Sequence, residues 1–173
     1  MREKYFLEMT DSLTENGIEY TVFDQVTPNP TINLVEKGSK LAIEGDVDFV
    51  IGFGGGSSID AAKAIAFKSC NQALSWGKCF EELSNPFSNS DNPVKVLPVI
   101  AITTTSGTGS QLTQAAVISD ESENSKMTIF HSNLFPKISF VDPELMVTVP
   151  KRVTSITGFD ALSHAMESYF NPR

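Results

Sequence analysis

Three segments of the chain carry side chains whose types and spacing suit chemistry. The first is Gly54-Gly55-Gly56-Ser57, set between an apolar run and a helical one. Glycines let the backbone come close to a ligand, and the open N–H groups at a helix start favour an anion. A phosphate or pyrophosphate is the natural guest, although the same residues fit a tight turn with a Ser cap. The dinucleotide pattern GxGxxG is not met, because Ile59 stands at its last position. The second segment is Thr103-Thr104-Thr105-Ser106-Gly107-Thr108-Gly109-Ser110, again at the end of an apolar run. In open parallel sheets ligands sit beyond the carboxyl ends of strands. Two such ends rich in glycine and hydroxyls can flank one crevice. A solvated Ser/Thr turn is the plainer alternative.

The third segment is Asp160-x-x-x-His164. A spacing of four puts both side chains on one helical face, one turn apart. A carboxylate and an imidazole so placed can share a divalent metal, and they fit an ordinary Asp–His contact equally well. Glu167 lies near the same face and reads as a supporting or surface residue. There is no GxSxG elbow, and neither His131 nor His164 has a nucleophile to serve, so a Ser/His/Asp hydrolase is excluded.

These groups need elements to position them. Residues 1–16 place Tyr5, Phe6, Met9 and Leu13 at helical spacing. Residues 18–24, IEYTVFD, alternate and read as a strand. Thr31 is placed to cap a helix running to about Glu44. DFVIGF at 48–53 reads as a strand covered on both faces, followed by a helix over 58–68 with Ile59, Ala62, Ile65 and Ala66 as its stripe. A short helix at 80–83 leads into a loop, and 94–102 is a second buried strand. AAVIS, KMTIF and ISFVD are three further strands. Residues 150–169 are helical, with Gly158 expected to split them into two helices. The last helix presents Ile156, Phe159, Leu162, Met166, Tyr169 and Phe170 over a wide arc, which calls for apolar partners. Strand–turn–helix–strand order predicts an α/β domain with a mostly parallel sheet.

Composition narrows the function. The chain has 173 residues, 40% apolar, and a net charge of −8. That supports a packed core, and without a basic run it is a poor nucleic-acid or anionic-membrane binder. No apolar stretch is long enough to span a bilayer, and the N-terminus has no signal core, so a cytoplasmic protein is expected. Cys70 and Cys79 fit neither a zinc pattern nor a disulfide framework and read as reduced thiols.

Taken in order, GGGSSIDAAKAIA, TTTSGTGSQLT, Lys126 within SENSKMTIF, VDPELM and TGFDALSHAMESY resemble the iron-dependent (group III) alcohol dehydrogenases. That family includes lactaldehyde reductase, propanediol dehydrogenase and butanol dehydrogenase. PNPTI at 28–32 fits as well, and the resemblance covers essentially the whole chain. It implies a Rossmann-like dinucleotide-binding domain over 1–149 and the first helices of an all-α metal-binding domain over 150–173. It further implies NAD or NADP as cofactor, with Gly55, Gly56 and Ser57 at the pyrophosphate. Thr104, Thr105, Thr108 and Thr113 would line the nucleotide crevice, and Asn29, Asp60 and Lys126 would be further cofactor-binding positions. Asp160 and His164 match two metal ligands, with Fe2+ favoured over Zn2+. A small alcohol or aldehyde would be the substrate, and a homo-oligomer is expected.

The chain has Thr103 where the family usually has Pro, and Gln111 where it usually has Glu. The family's ribose-reading first strand and its two histidine ligands have no counterpart here, so a partial chain with little activity alone is expected. Two other readings stay open. One is a non-catalytic nucleotide-binding or interaction module. The other is a relative of the glycerol dehydrogenase or dehydroquinate synthase type, against which TTTSGTGS and VDPEL favour the alcohol dehydrogenase branch.

Overall fold

The computed structural model describes residues 2–87 and 94–171. The loop expected through 88–93 lies outside the described residues. Helix α1 spans Arg2–Glu15 and α2 spans Ile32–Glu44, the latter capped by Thr31, whose hydroxyl accepts from the Leu34 N–H. Strand β1 (Val50–Gly54) runs straight into α3 (Gly56–Cys70), and α4 covers Trp76–Glu82. Strand β2 is Val99–Thr103, β3 is Ala115–Asp120, β4 is Ser125–Phe130 and β5 is Ile138–Val141. Helix α5 closes the described chain at Lys151–Phe170.

β1, β2 and β5 form a parallel sheet in the order β1-β2-β5, with Gly54 opposite Thr103 and Thr103 opposite Val141. β3 and β4 form a separate antiparallel ribbon, with Ala115 opposite Phe130. The parallel register brings the carboxyl ends of all three sheet strands to one edge, where the loops after β1 and β2 lie side by side. Helix α3 is the centre of the core. Ile59, Ala61, Ala64, Ala66 and Phe67 are fully buried, because α3 packs on the sheet, α2 and β3 together. Its alanines allow that close approach from several sides, which is why burial extends beyond the expected stripe of Ile59, Ala62, Ile65 and Ala66.

Three local expectations need correction. Residues 18–24 form no strand: among the described residues no ladder pairs them, Ile18, Tyr20 and Val22 face solvent, and Phe23 packs on the core. Alternation without a neighbouring edge makes extended chain, not a sheet strand. The second buried strand starts at Val99 rather than Val94, since Pro98 has no N–H to give a ladder. Its carbonyl still accepts from the Val50 N–H at 2.9 Å. Finally, α5 is one helix through Gly158. A glycine in a helix interior costs about 1 kcal/mol, too little to end a helix of good formers.

Buried Lys68 and half-buried Trp76 tie α2, α3 and α4 through Glu36. The Lys68 ammonium lies 3.4 Å from Glu36 and donates to the Leu74 carbonyl at 2.8 Å, while the Trp76 indole N–H donates to Glu36 at 2.7 Å. The thiols divide by environment. Cys70 is exposed, whereas Cys79 is buried and burial pushes its thiol up to about 11. At pH 8 a disulfide reagent is expected to modify one thiol per native chain quickly and the second only on unfolding. Two equally fast thiols would contradict the packing of α4.

Candidate nucleotide crevice and metal pair

β1 delivers its last residue, Gly54, beside the loop that follows β2, and the Thr104 N–H donates to the Gly54 carbonyl at 2.9 Å. Gly55 is the N-cap of α3. A Cβ added to Gly55 would lie 3.2 Å from the Thr105 hydroxyl, and one on Gly56 3.0 Å from Thr108. The two glycine- and hydroxyl-rich turns are therefore in contact along one seam. Thr103 turns inward and donates to the Thr105 carbonyl at 2.9 Å. The hydroxyls of Thr105 and Thr108 are buried without a hydrogen-bond partner. Buried polar groups are nearly always paired, so these two mark a place where a polar ligand belongs.

The other sequence-derived positions divide around this seam. Asn29 is drawn to it: its backbone N–H donates to the Ser57 hydroxyl at 3.2 Å, from the left-handed conformation at φ +59°. Asp60 and Thr113 lie behind the seam. The Ser110 hydroxyl donates to the Asp60 carboxylate, and the Val117 N–H donates to its other oxygen at 3.3 Å. Burial raises the pKa of Asp60, opposed first by the Ser110 hydrogen bond and then by the Lys63 charge. Lys126 stands exposed on β4, opposite Ser119, where its charge reaches Asp60.

Lys63 was absent from the sequence-derived set. It is wholly buried in the middle of α3, and its ammonium donates to the carbonyls of Ser110, Thr113 and Ala115 at 2.6, 2.8 and 2.8 Å. Burial pushes its pKa down to about 8, against the pull of the Asp60 charge, so it is a cation at neutral pH. The available signal was a lone lysine inside the otherwise apolar run Ala61–Phe67.

Asp160 and His164 meet on α5 as their spacing requires, Oδ1 to Nε2 at 3.5 Å, with Glu167 3.8 Å from the His164 Nδ1. Among the described residues no group of three or more His, Cys, Asp or Glu is placed to hold a metal. The pair supplies two donors, and the other described residues place no third beside it. His131 caps the turn at Ser132–Leu134, its Nδ1 accepting from the Asn133 N–H at 3.1 Å, and burial lowers its pKa. Between the pair and the second loop lies a cavity of about 450 Å3, lined by Gly107, Thr108, Leu112, Thr113, Ala161 and His164. That volume is in the range of small-ligand sites. One open space thus joins the hydroxyl-rich loop to the His164 imidazole.

Comparison with known proteins agrees with this geometry. The family model described as iron-containing alcohol dehydrogenase matches residues 1–143. The chain is 40% identical over 153 residues to the 1-propanol dehydrogenase PduQ of Salmonella typhimurium, covering 88% of this chain and 36% of that protein. It is 39% identical over 162 residues to the NADH-dependent butanol dehydrogenase A of Clostridium acetobutylicum, covering 94% of this chain and 40% of that protein. The crystal structure of an NADH-dependent butanol dehydrogenase A from Thermotoga maritima superposes with a TM-score of 0.81 at 34% identity, over 95% of this chain and 39% of that one. The chain thus spans about two fifths of the length of these relatives. With the family match, the Rossmann-like α/β fold and the residue order in agreement, the chain belongs to the iron-containing alcohol dehydrogenase family.

Proposed function

We propose that this chain supplies the dinucleotide-binding part of an NAD(P)-dependent, metal-dependent alcohol dehydrogenase acting on a small alcohol or aldehyde. Residues 1–149 form its nucleotide-binding domain and 150–173 open its helical metal-binding domain. The observation that carries this reading is the seam of Gly55 and Gly56 against Thr105 and Thr108, with two buried hydroxyls left without partners. The residues present fit a dinucleotide. The first N–H groups of α3 have no acceptor within the helix and face a negative group favourably, so Gly55, Gly56 and Ser57 hold the pyrophosphate. Thr104, Thr105, Thr108 and Thr113 line the remainder, Asn29 and Lys126 flank it, and Asp60 acts through Ser110.

When bound, the nicotinamide supplies hydride exchange and a divalent metal supplies Lewis acidity. Asp160 and His164 are two donors for that metal, ferrous iron in preference to zinc. A catalytic centre takes at least three protein ligands, so the described residues make a half-site, and turnover by this chain alone is expected to be negligible. Ferrous or zinc ion should bind weakly, be stripped by EDTA, and bind no longer in His164→Ala. Tight, chelator-resistant binding that survives His164→Ala would remove the pair from the metal site.

The cofactor reading is tested by titrating NADH and NADPH into the chain. Thr105→Val and Thr108→Val remove each hydroxyl at nearly constant volume. Each is expected to weaken binding by roughly three- to tenfold, the worth of one hydrogen bond. Unchanged affinity in both variants would mean that the hydroxyls do not serve the cofactor.

The setting we propose is cytoplasmic, and no helix among the described residues is long and apolar enough to cross a membrane. Self-association is supported by α5, where Ile156, Phe159 and Tyr169 are 58%, 70% and 84% exposed. Light scattering is expected to show a dimer or larger species, and a monomer at all concentrations would count against it.

A further inference from the structure

α3 carries two buried cations, Lys63 and Lys68, and Lys63 is the one that reaches the loop after β2. The loop it holds has one short regular piece: between Gly107 and Thr113 a single 3-10 turn, Ser110–Leu112, is closed by Leu112 N–H to Gly109 O at 2.9 Å and Thr113 N–H to Ser110 O at 3.5 Å, and from β5 the Ser139 hydroxyl donates to the Gln111 carbonyl at 2.6 Å. Gly107 and Gly109 add two positive φ angles to the same stretch. Such a segment does not set its own position. Lys63 reaches it from α3 with three N–H bonds that match three carbonyls, Ser110, Thr113 and Ala115. Asp60, one turn earlier on α3, holds the Ser110 hydroxyl of the same loop and the Val117 N–H of β3, which follows it. Two turns before Lys63, α3 begins at the Gly55 cap that faces Thr105 and Thr108. The helix that opens one wall of the crevice therefore grips the other wall further along its length.

We propose that Lys63, with Asp60, is the positioning residue of the nucleotide crevice: its ammonium fixes the 107–115 loop against α3 and so sets the gap in which the cofactor lies. It touches no cofactor itself. The consequence for affinity rests on the reading of the crevice as an NAD(P) site, whereas the positioning of the loop does not. Lys68 provides an internal control. It is nearly as buried on the same helix and also donates to backbone carbonyls, those of Gln72 and Leu74, but these lie on the side of α4.

The test compares the chain with Lys63→Met, Lys63→Gln and Lys68→Met in two measurements, NADH titration and hydrogen exchange of the ligand-free protein. Lys63→Met and Lys63→Gln are expected to raise the NADH Kd about tenfold or more while keeping a native circular dichroism spectrum. Lys68→Met is expected to keep the Kd within about twofold despite its lost stability. In exchange, the amides of 107–114 should lose more protection in the Lys63 variants than the amides inside α3. If neither Lys63 variant folds, Asp60→Asn loosens the same loop and reads the same quantities. Wild-type NADH affinity in the Lys63 variants, or equal weakening in Lys68→Met, overturns the proposal. A wild-type chain that binds neither NADH nor NADPH overturns the cofactor reading and not the loop. The exchange result then decides: a loop loosened in the Lys63 variants supports the proposal, and unchanged protection overturns it.

Discussion

Gly107→Ala is expected to destabilise the chain by about 3–5 kcal/mol, read as a lower urea midpoint at unchanged slope. Two costs add. At φ +120° an L side chain is strained, which is worth about 1–3 kcal/mol. The added Cβ would also meet the backbone carbonyl of Thr157 in α5, and a rigid helix backbone cannot swing aside as a side chain can. The relief open to the molecule is to push α5 from the loop, which would carry His164 away from the cavity it shares with Thr108. Gly109→Ala is the comparison. At φ +67° with open space around it, that substitution carries the left-handed penalty alone, about 1–2 kcal/mol. Equal effects of the two would show that the contact with α5 contributes nothing.

Lys63→Met is expected to cost a similar 3–5 kcal/mol, the range for removing one partner from a buried charged network. Methionine fills the space of the stem but takes the ammonium donor from the carbonyls of Thr113 and Ala115 and leaves that of Ser110 with the long bonds from Thr113. Asp60 would also lose a neighbouring positive charge, a term that lowers its pKa. Because both side chains hold the same loop, the losses in Lys63→Met and Asp60→Asn should not add. A double-mutant cycle by urea unfolding is expected to show a coupling of about 0.5–3 kcal/mol. Strict additivity would show that the two act on the loop independently.

The parts of the site legible in the sequence were those written in short contiguous runs. A buried strand followed at once by GGGS, and another by TTTSGTGS, fixes both loops at one sheet edge whatever the rest does. Asp160 and His164 were legible because helix geometry alone brings positions four apart together. The exposed apolar arc of α5 was readable for the same reason. What escaped were features set by tertiary neighbours. Residues 18–24 have a strand's alternation, and only the absence of a pairing edge among the described residues denies them a ladder. Gly158 looked like a break because its small local cost is visible and the continuity of the helix around it is not. Lys63 was not singled out because its three acceptors come from a loop about 50 residues away.

The most direct test of the account is NADH binding by the wild-type chain and Gly56→Val, followed by fluorescence titration or calorimetry. A side chain at residue 56 enters the seam within 3.0 Å of Thr108 and occupies space that the phosphate must approach. The account predicts one NADH per wild-type chain and an affinity at least about tenfold weaker in Gly56→Val, with the fold retained. Equal affinity in the two folded proteins would contradict the assignment of this turn as the phosphate cradle.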